Sequence, residues 1–152
     1  DPLPITDIYN YTKLTEKMDI PVMATEFPCG WLDDYAPWIM NKATDMLRGD
    51  VLIKGGLTSM LKIAHLAEAF AMNLEIHHGG NSINNVANLH IQMAIPNTTY
   101  MEVLLPHETW WHGLVEEIQI DSEGYAHAPT KPGLGYEIDL DLVERQTISV
   151  LS

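Results

Sequence analysis

The chain has 152 residues, enough for one modest domain with its own core, and 21 acidic against 8 basic side chains give a formal net charge of -13. That charge disfavours nucleic acid and anionic membrane surfaces as partners. The single cysteine, Cys29, excludes an internal disulfide and fits a reducing, cytoplasmic setting, and no apolar run approaches the roughly 18 residues of a membrane span.

The chain opens with "DPLPITDIYNY" and no initiator methionine, so a piece of a longer protein is expected. "PITDIYNYTKLTEKM" predicts a helix capped by Thr6 or Asp7. "IPVMATEF" predicts a short buried strand, and "DDYAPWIMNKATDMLRG" contains a helix that stops at Gly49. "DVLIKGG" predicts a second strand closed by two glycines. In "LTSMLKIAHLAEAFAM", Leu61, Ala64, Ala67 and Phe70 fall at helical spacing, with Thr58 as cap. "LEIHH" predicts a third strand, "SINNVANLHIQMAI" a helix capped by Ser82, and "TYMEVLL" a fourth strand. Strand–helix units of this length imply parallel strands joined by crossover helices. After Pro106 the pattern changes: residues 107–152 predict loops and a β-hairpin around "LVEEIQI", with "KPGLGY" as a turn.

Parallel strands belong to an open doubly wound sheet or to a barrel. No G-x-G-x-x-G follows a strand, so a dinucleotide fold lacks support. Glu26, His77 and Glu102 all fall at or near strand C-terminal ends, where βα barrels build their active sites. Glu26 is either a solvated loop acid or a hard-cation ligand or general acid/base. Asp50 is either a turn acid or the partner that orients a histidine on a neighbouring strand. Strand parity separates the adjacent histidines. Leu74, Ile76 and His78 share the face toward the helices, which places Glu75 and His77 on the inner face. Gly79 and Gly80 predict close approach by a ligand. Glu102 either pairs inside the barrel or, protonated by burial, donates to a developing anion. His65 and His90 are expected as surface or packing residues of helices. No zinc-type spacing and no G-x-S-x-G is present.

Taken in order, these residues resemble the enolase superfamily, in particular its mandelate racemase subgroup. "ATEF" is similar to the strand end that carries the third metal carboxylate, here Glu26. "GDVLIKGGLTSMLKIAHLAEAF" is similar to the next strand, glycine pair and helix, with Asp50, Gly55 and Gly56 at the family positions. His77 follows 27 residues later as the catalytic histidine. "YMEV" places the last-strand glutamate at Glu102, and "APTKPGLGYEID" resembles the segment that returns to a capping domain.

The resemblance implies an α/β fold: residues 1–106 as the C-terminal half of a modified (β/α)7β TIM-like barrel, and 107–152 as the turn-rich tail. It implies Mg²⁺, one of whose ligands would immediately precede the "DP" at Asp1. It also implies catalysis by His77, Asp50 and Glu102. The expected reaction, in a full-length parent, is abstraction of the proton α to a carboxylate through an enediolate. Dehydration of an acid sugar is the leading activity, with racemisation or cycloisomerisation of a hydroxy acid next. A third alternative is a non-catalytic half-barrel that binds or assembles with another chain. By itself the chain would be inactive. Its expected partners are a small carboxylate substrate and either further copies of itself or a complementary N-terminal part of the same protein.

Overall fold

The computed structural model describes residues 2–26, 32–106 and 112–150. Expectations resting on Asp1 or Cys29 lie outside them. The chain runs α1 (Ile8–Lys17), β1 (Met23–Ala24), α2 (Leu32–Met40), β2 (Met46–Gly49), α3 (Leu57–Ala69), β3 (Asn73–Ile76), α4 (Ser82–Ala94) and α5 (Leu140–Gln146). The strands form a parallel sheet in the order β1-β2-β3, as the alternation of short strands and helices requires.

Burial follows from side-chain alternation. Leu47 lies opposite Leu74, and both turn to the helical side, where they pack with Ile76, Tyr35, Met60, Ile63, Ala64, Ala67 and Ile91. Arg48 lies opposite Glu75 on the other side of the sheet. A second cluster joins Tyr11, Val22, Ala24, Trp38 and Ala43, with the Tyr11 and Trp38 rings edge-on at 4.8 Å. Each large side chain buried in these layers stabilises the fold by about 1.5–3 kcal/mol relative to exposure.

Several elements differ from expectation. The helix before Gly49 ends at Met40; Lys42 adopts a left-handed φ of 50°, and the chain then enters β2. The second strand is therefore "MLRG", not "DVLIKGG". Its Arg48 disguises the alternation, whereas the apolar run after Asp50 closes into a helical turn. There the Ile53 and Lys54 N–H groups donate to Asp50 O, and Leu52 is exposed. Asp50 consequently follows the C-terminal end of β2 rather than opening a strand.

Helix caps moved as well. Gly56, with φ 91°, precedes α3 without a side-chain cap, so Thr58 is not the cap. Asn81, not Ser82, caps α4 by accepting from Asn84 N. Asp7 does cap α1. In α3 the buried residues are Met60, Ile63, Ala64 and Ala67, and Phe70 is exposed.

The expected fourth strand forms no ladder. Glu75 instead holds the start of this segment: its carboxylate accepts from the Thr99 and Tyr100 N–H groups and the Thr98 hydroxyl. Just before, Leu74 N donates to Asn97 O at 2.8 Å. The tail holds isolated antiparallel bridges, Leu114 to Ile138 and Ile120 to Ala126, in place of an extended hairpin. "KPGLGY" is a turn, with Gly135 N donating to Pro132 O. The unanticipated α5 follows, capped by Asp139. The tail docks on α4: His112 N donates to Ser82 Oγ, which donates to Glu117, and His90 Nε2 donates to Leu134 O.

Replacing Glu75 with alanine should free residues 98–100 and cost about 1 kcal/mol, because the Thr99 and Tyr100 N–H groups and the Thr98 hydroxyl lose their acceptor. Hydrogen exchange at Thr99 and Tyr100 checks this: both amides should exchange faster than in the parent chain, and unchanged protection would show that Glu75 does not hold the segment.

Candidate active site

Three consecutive elements converge at the C-terminal ends of the strands. Glu26 follows β1 by way of Thr25, a buried β-branched residue at φ 89°. That conformation is sterically costly for threonine. Thr25 Oγ1 pairs with the Arg48 backbone in both directions, and Tyr35 Oη donates to Arg48 O, so β1 and β2 together hold the strained residue in place.

Asp50 and His77 meet across β2 and β3, with His77 Nδ1 2.9 Å from Asp50 Oδ2. Asp50 is almost fully buried. Its carboxylate also accepts from Asn84 Nδ2 at 3.0 and 3.1 Å and from Leu52 N at 2.7 Å. Burial opposes ionisation of Asp50, yet the bonds from His77, Asn84 and Leu52 outweigh it and hold the carboxyl below its ordinary range. The hydrogen bond to Asp50 raises the His77 pKa against the opposing effect of burial, with Glu26 and Glu102 adding to the rise. With Nδ1–H committed to Asp50, Nε2 faces Glu26 Oε1 at 3.2 Å and Glu102 Oε2 at 4.0 Å.

Sequence reasoning missed three residues here. Arg48 bridges the outer carboxylates, Nε to Glu26 Oε2 at 2.9 Å and Nη2 to Glu102 Oε2 at 2.6 Å. Asn84 and Asn88, one turn apart on α4, are buried polar residues. Asn88 Nδ2 donates to His77 O, and its Oδ1 accepts from Val51 N, so α4 fastens both halves of the Asp50–His77 pair. The available signal was the four-residue spacing of the two asparagines on a helix that also turns Val86, Leu89 and Ile91 inward.

The glycines after His78 have a structural use. A Cβ on Gly79 would lie 2.7 Å from the His77 ring, and one on Gly80 would lie 2.7 Å from Asn84 Nδ2. They make room for the imidazole and its supporting amide. His78 turns away, as parity predicts: it is buried, with Nε2 3.2 Å from Gln92 Oε1.

Glu102 is an acceptor. Arg48 Nη2 and His78 N both donate to its Oε2. Burial would raise its pKa, but the Arg48 bond, the His78 N–H and the nearby positive charges outweigh burial and lower it. In this structure Glu102 pairs with Arg48 and with the His78 N–H.

For a divalent cation, the observation that bears on fit is Glu26 Oε1, a buried carboxylate oxygen that receives no hydrogen bond. Such an oxygen suits a hard cation. Among the described residues no three His, Cys, Asp or Glu side chains gather to hold a metal, so Glu26 fits as one ligand of a larger set.

The family described as "Enolase C-terminal domain-like" matches residues 1–142. The chain belongs to that family. The match continues from the parallel unit into the tail. Within it the chain falls in the mandelate racemase subgroup of the enolase superfamily. A Pseudovibrio sp. protein assigned to the mandelate racemase/muconate lactonizing enzymes superposes with a TM-score of 0.92 at 28% identity, over 97% of this chain and 40% of that one. D-glucarate dehydratase from Agrobacterium tumefaciens, crystallised with magnesium, superposes with a TM-score of 0.83 at 34% identity, over 95% of this chain and 38% of that one. D-xylonate dehydratase of Haloferax volcanii is 34% identical over 107 residues, 70% of this chain. The chain spans about a quarter of that relative's length. The expected partial-barrel α/β fold follows from the parallel sheet and these superpositions. No helix among the described residues is long and apolar enough to cross a membrane.

Burial pushes the His78 pKa down from 6.5 to about 4. Below pH 6.5 the unfolded chain therefore binds a proton that the folded chain refuses. Stability falls as pH drops from 6.5 toward 4, by up to about 3 kcal/mol from this group. Chemical denaturation at pH 7 and pH 4 should show a smaller loss for His78→Asn than for the parent chain. Equal losses would contradict a buried neutral His78.

Proposed function

We propose that the protein containing this chain removes the proton α to the carboxylate of an acid sugar and expels the β-hydroxyl, forming a 2-keto-3-deoxy acid. The Asp50–His77 pair carries this conclusion, because its Nε2 opens onto the same side as Glu26 and Glu102. The family membership and the dehydratase names of two relatives support it.

Mg²⁺ held by Glu26 and ligands from outside the described residues would stabilise the charge that develops on the substrate carboxylate as the α-proton leaves. The remaining chemistry belongs to side chains. Asp50 keeps Nδ1 of His77 protonated and the ring oriented, so the mobile proton resides on Nε2. Neutral His77 can take a proton from the α-carbon at Nε2; protonated His77 can deliver one to a leaving hydroxyl. In dehydration the C–H pair remains as the new double bond, the β-C–O bond breaks, and the hydroxyl departs with that proton as water. The enol then tautomerises to the keto acid. Asp50 does not exchange protons with substrate, since His77, Asn84 and Leu52 surround its oxygens.

The sheet order leaves one side of β1 unpaired among the described residues, and that edge is where preceding barrel strands, or another chain, would add. The complementary part would supply the other metal ligands, a second base and the loops that choose the substrate.

Incubating the full-length protein and Mg²⁺ with a library of acid sugars should yield a 2-keto-3-deoxy product from at least one of them. His77→Asn should lower the rate at least about 100-fold, as loss of a proton-transferring group does, whereas His78→Asn should retain most of it. Equal loss in both variants, or no such product from any acid sugar, would overturn the proposal.

A further inference from the structure

We propose that Arg48 is an anion-binding residue of this site, with the free edge of its guanidinium taking a carboxylate oxygen of the substrate. The inference rests on the function proposed above and adds a ligand-binding group to it. A guanidinium has five N–H donors in a planar fork. Arg48 commits one at Nε to Glu26 and one at Nη2 to Glu102. No other partner occupies it among the described residues, so Nη1 and the second Nη2 hydrogen are left over.

The side chain is fixed as well as underused. Its backbone N and O are pinned by Thr25 and Tyr35, and its two carboxylate partners lie on elements either side of β2. Those same carboxylates flank His77 Nε2, at 3.2 Å for Glu26 and 4.0 Å for Glu102. Arg48 and the base therefore look onto one space, and the arginine side chain keeps 14% of its surface open.

Charge supports the assignment. Glu26, Asp50 and Glu102 form a negative wall around His77, and both donors at Glu102 point to its Oε2. A substrate carboxylate cannot approach an accepting carboxylate favourably, and its ordinary complement is a preorganised guanidinium. Beyond the proposed metal ion, Arg48 is, among the described residues, a fixed cation on this side with uncommitted donors. It would also stay opposite the oxygen as negative charge builds there.

The competing possibility is that Arg48 only neutralises Glu26 and Glu102. The two separate by titration with 2-hydroxyisobutyrate, a 2-hydroxy acid that has no α-proton and so cannot react. Calorimetry on the full-length protein with Mg²⁺ should show Arg48→Gln binding it at least about 10-fold more weakly, the loss expected for a charge-assisted bond. Arg48→Lys, which keeps the charge but lacks the planar fork, should fall between. The double variant Arg48→Gln, Glu102→Gln should stay weak. Parent-like binding by Arg48→Gln, or recovery in the double variant, would overturn the proposal. Because the probe is inert, failure of the dehydration reaction would leave this result intact and separately visible.

Discussion

The hydrogen bond between Asp50 and His77 ties the ends of β2 and β3 together at the one place where both strands stop being apolar. Everything near it is arranged around that bond. Gly79 lacks a side chain so that the ring can sit there, and Gly80 lacks one so that Asn84 can reach Asp50. Asn88 holds the His77 carbonyl from the same helix. A buried aspartate is costly unless its oxygens are saturated with donors, and α4 supplies one of them while the Leu52 N–H supplies another. The helix behind the sheet therefore maintains the ionised partner that makes His77 a stronger base.

The outer half of the site follows a different rule. Glu26 and Glu102 are bridged by one arginine, which satisfies one oxygen of each and leaves Glu26 Oε1 without a hydrogen bond. Glu26 Oε1 has the His77 Nε2 atom 3.2 Å away and no hydrogen bond, and a buried carboxylate oxygen left in this way is useful where a cation is to be received. The strained Thr25 fits the same logic: it spends backbone energy to bring Glu26 around the end of β1 toward Arg48.

Much of this could be read in the sequence, for identifiable reasons. Side-chain alternation in "LEIHH" is a local property, so the separation of His77 from His78 survived into three dimensions. Glu26 and Glu102 were marked by being acids beside apolar runs. Asp50 was found as a histidine partner although its strand was misplaced, because the 27-residue interval to His77 spans one helix whichever end of the strand it occupies. Arg48 was hidden by its own role. A charged residue in the middle of a four-residue strand breaks the apolar pattern that marks strands, while "VLI" imitates it on a turn. The expected fourth strand is not formed, and the start of its segment is held by Glu75, about 25 residues earlier in the chain. Local propensity carries no trace of such a non-local contact.

The most direct test of this arrangement is ring ¹⁵N NMR of His77 across a pH titration. The chain should lose its imidazolium proton from Nε2 and keep Nδ1 protonated at high pH, and Asp50→Asn should lower the pKa at which this happens. Deprotonation at Nδ1, or a His77 pKa indifferent to Asp50→Asn, would contradict the central role given to the Asp50–His77 bond.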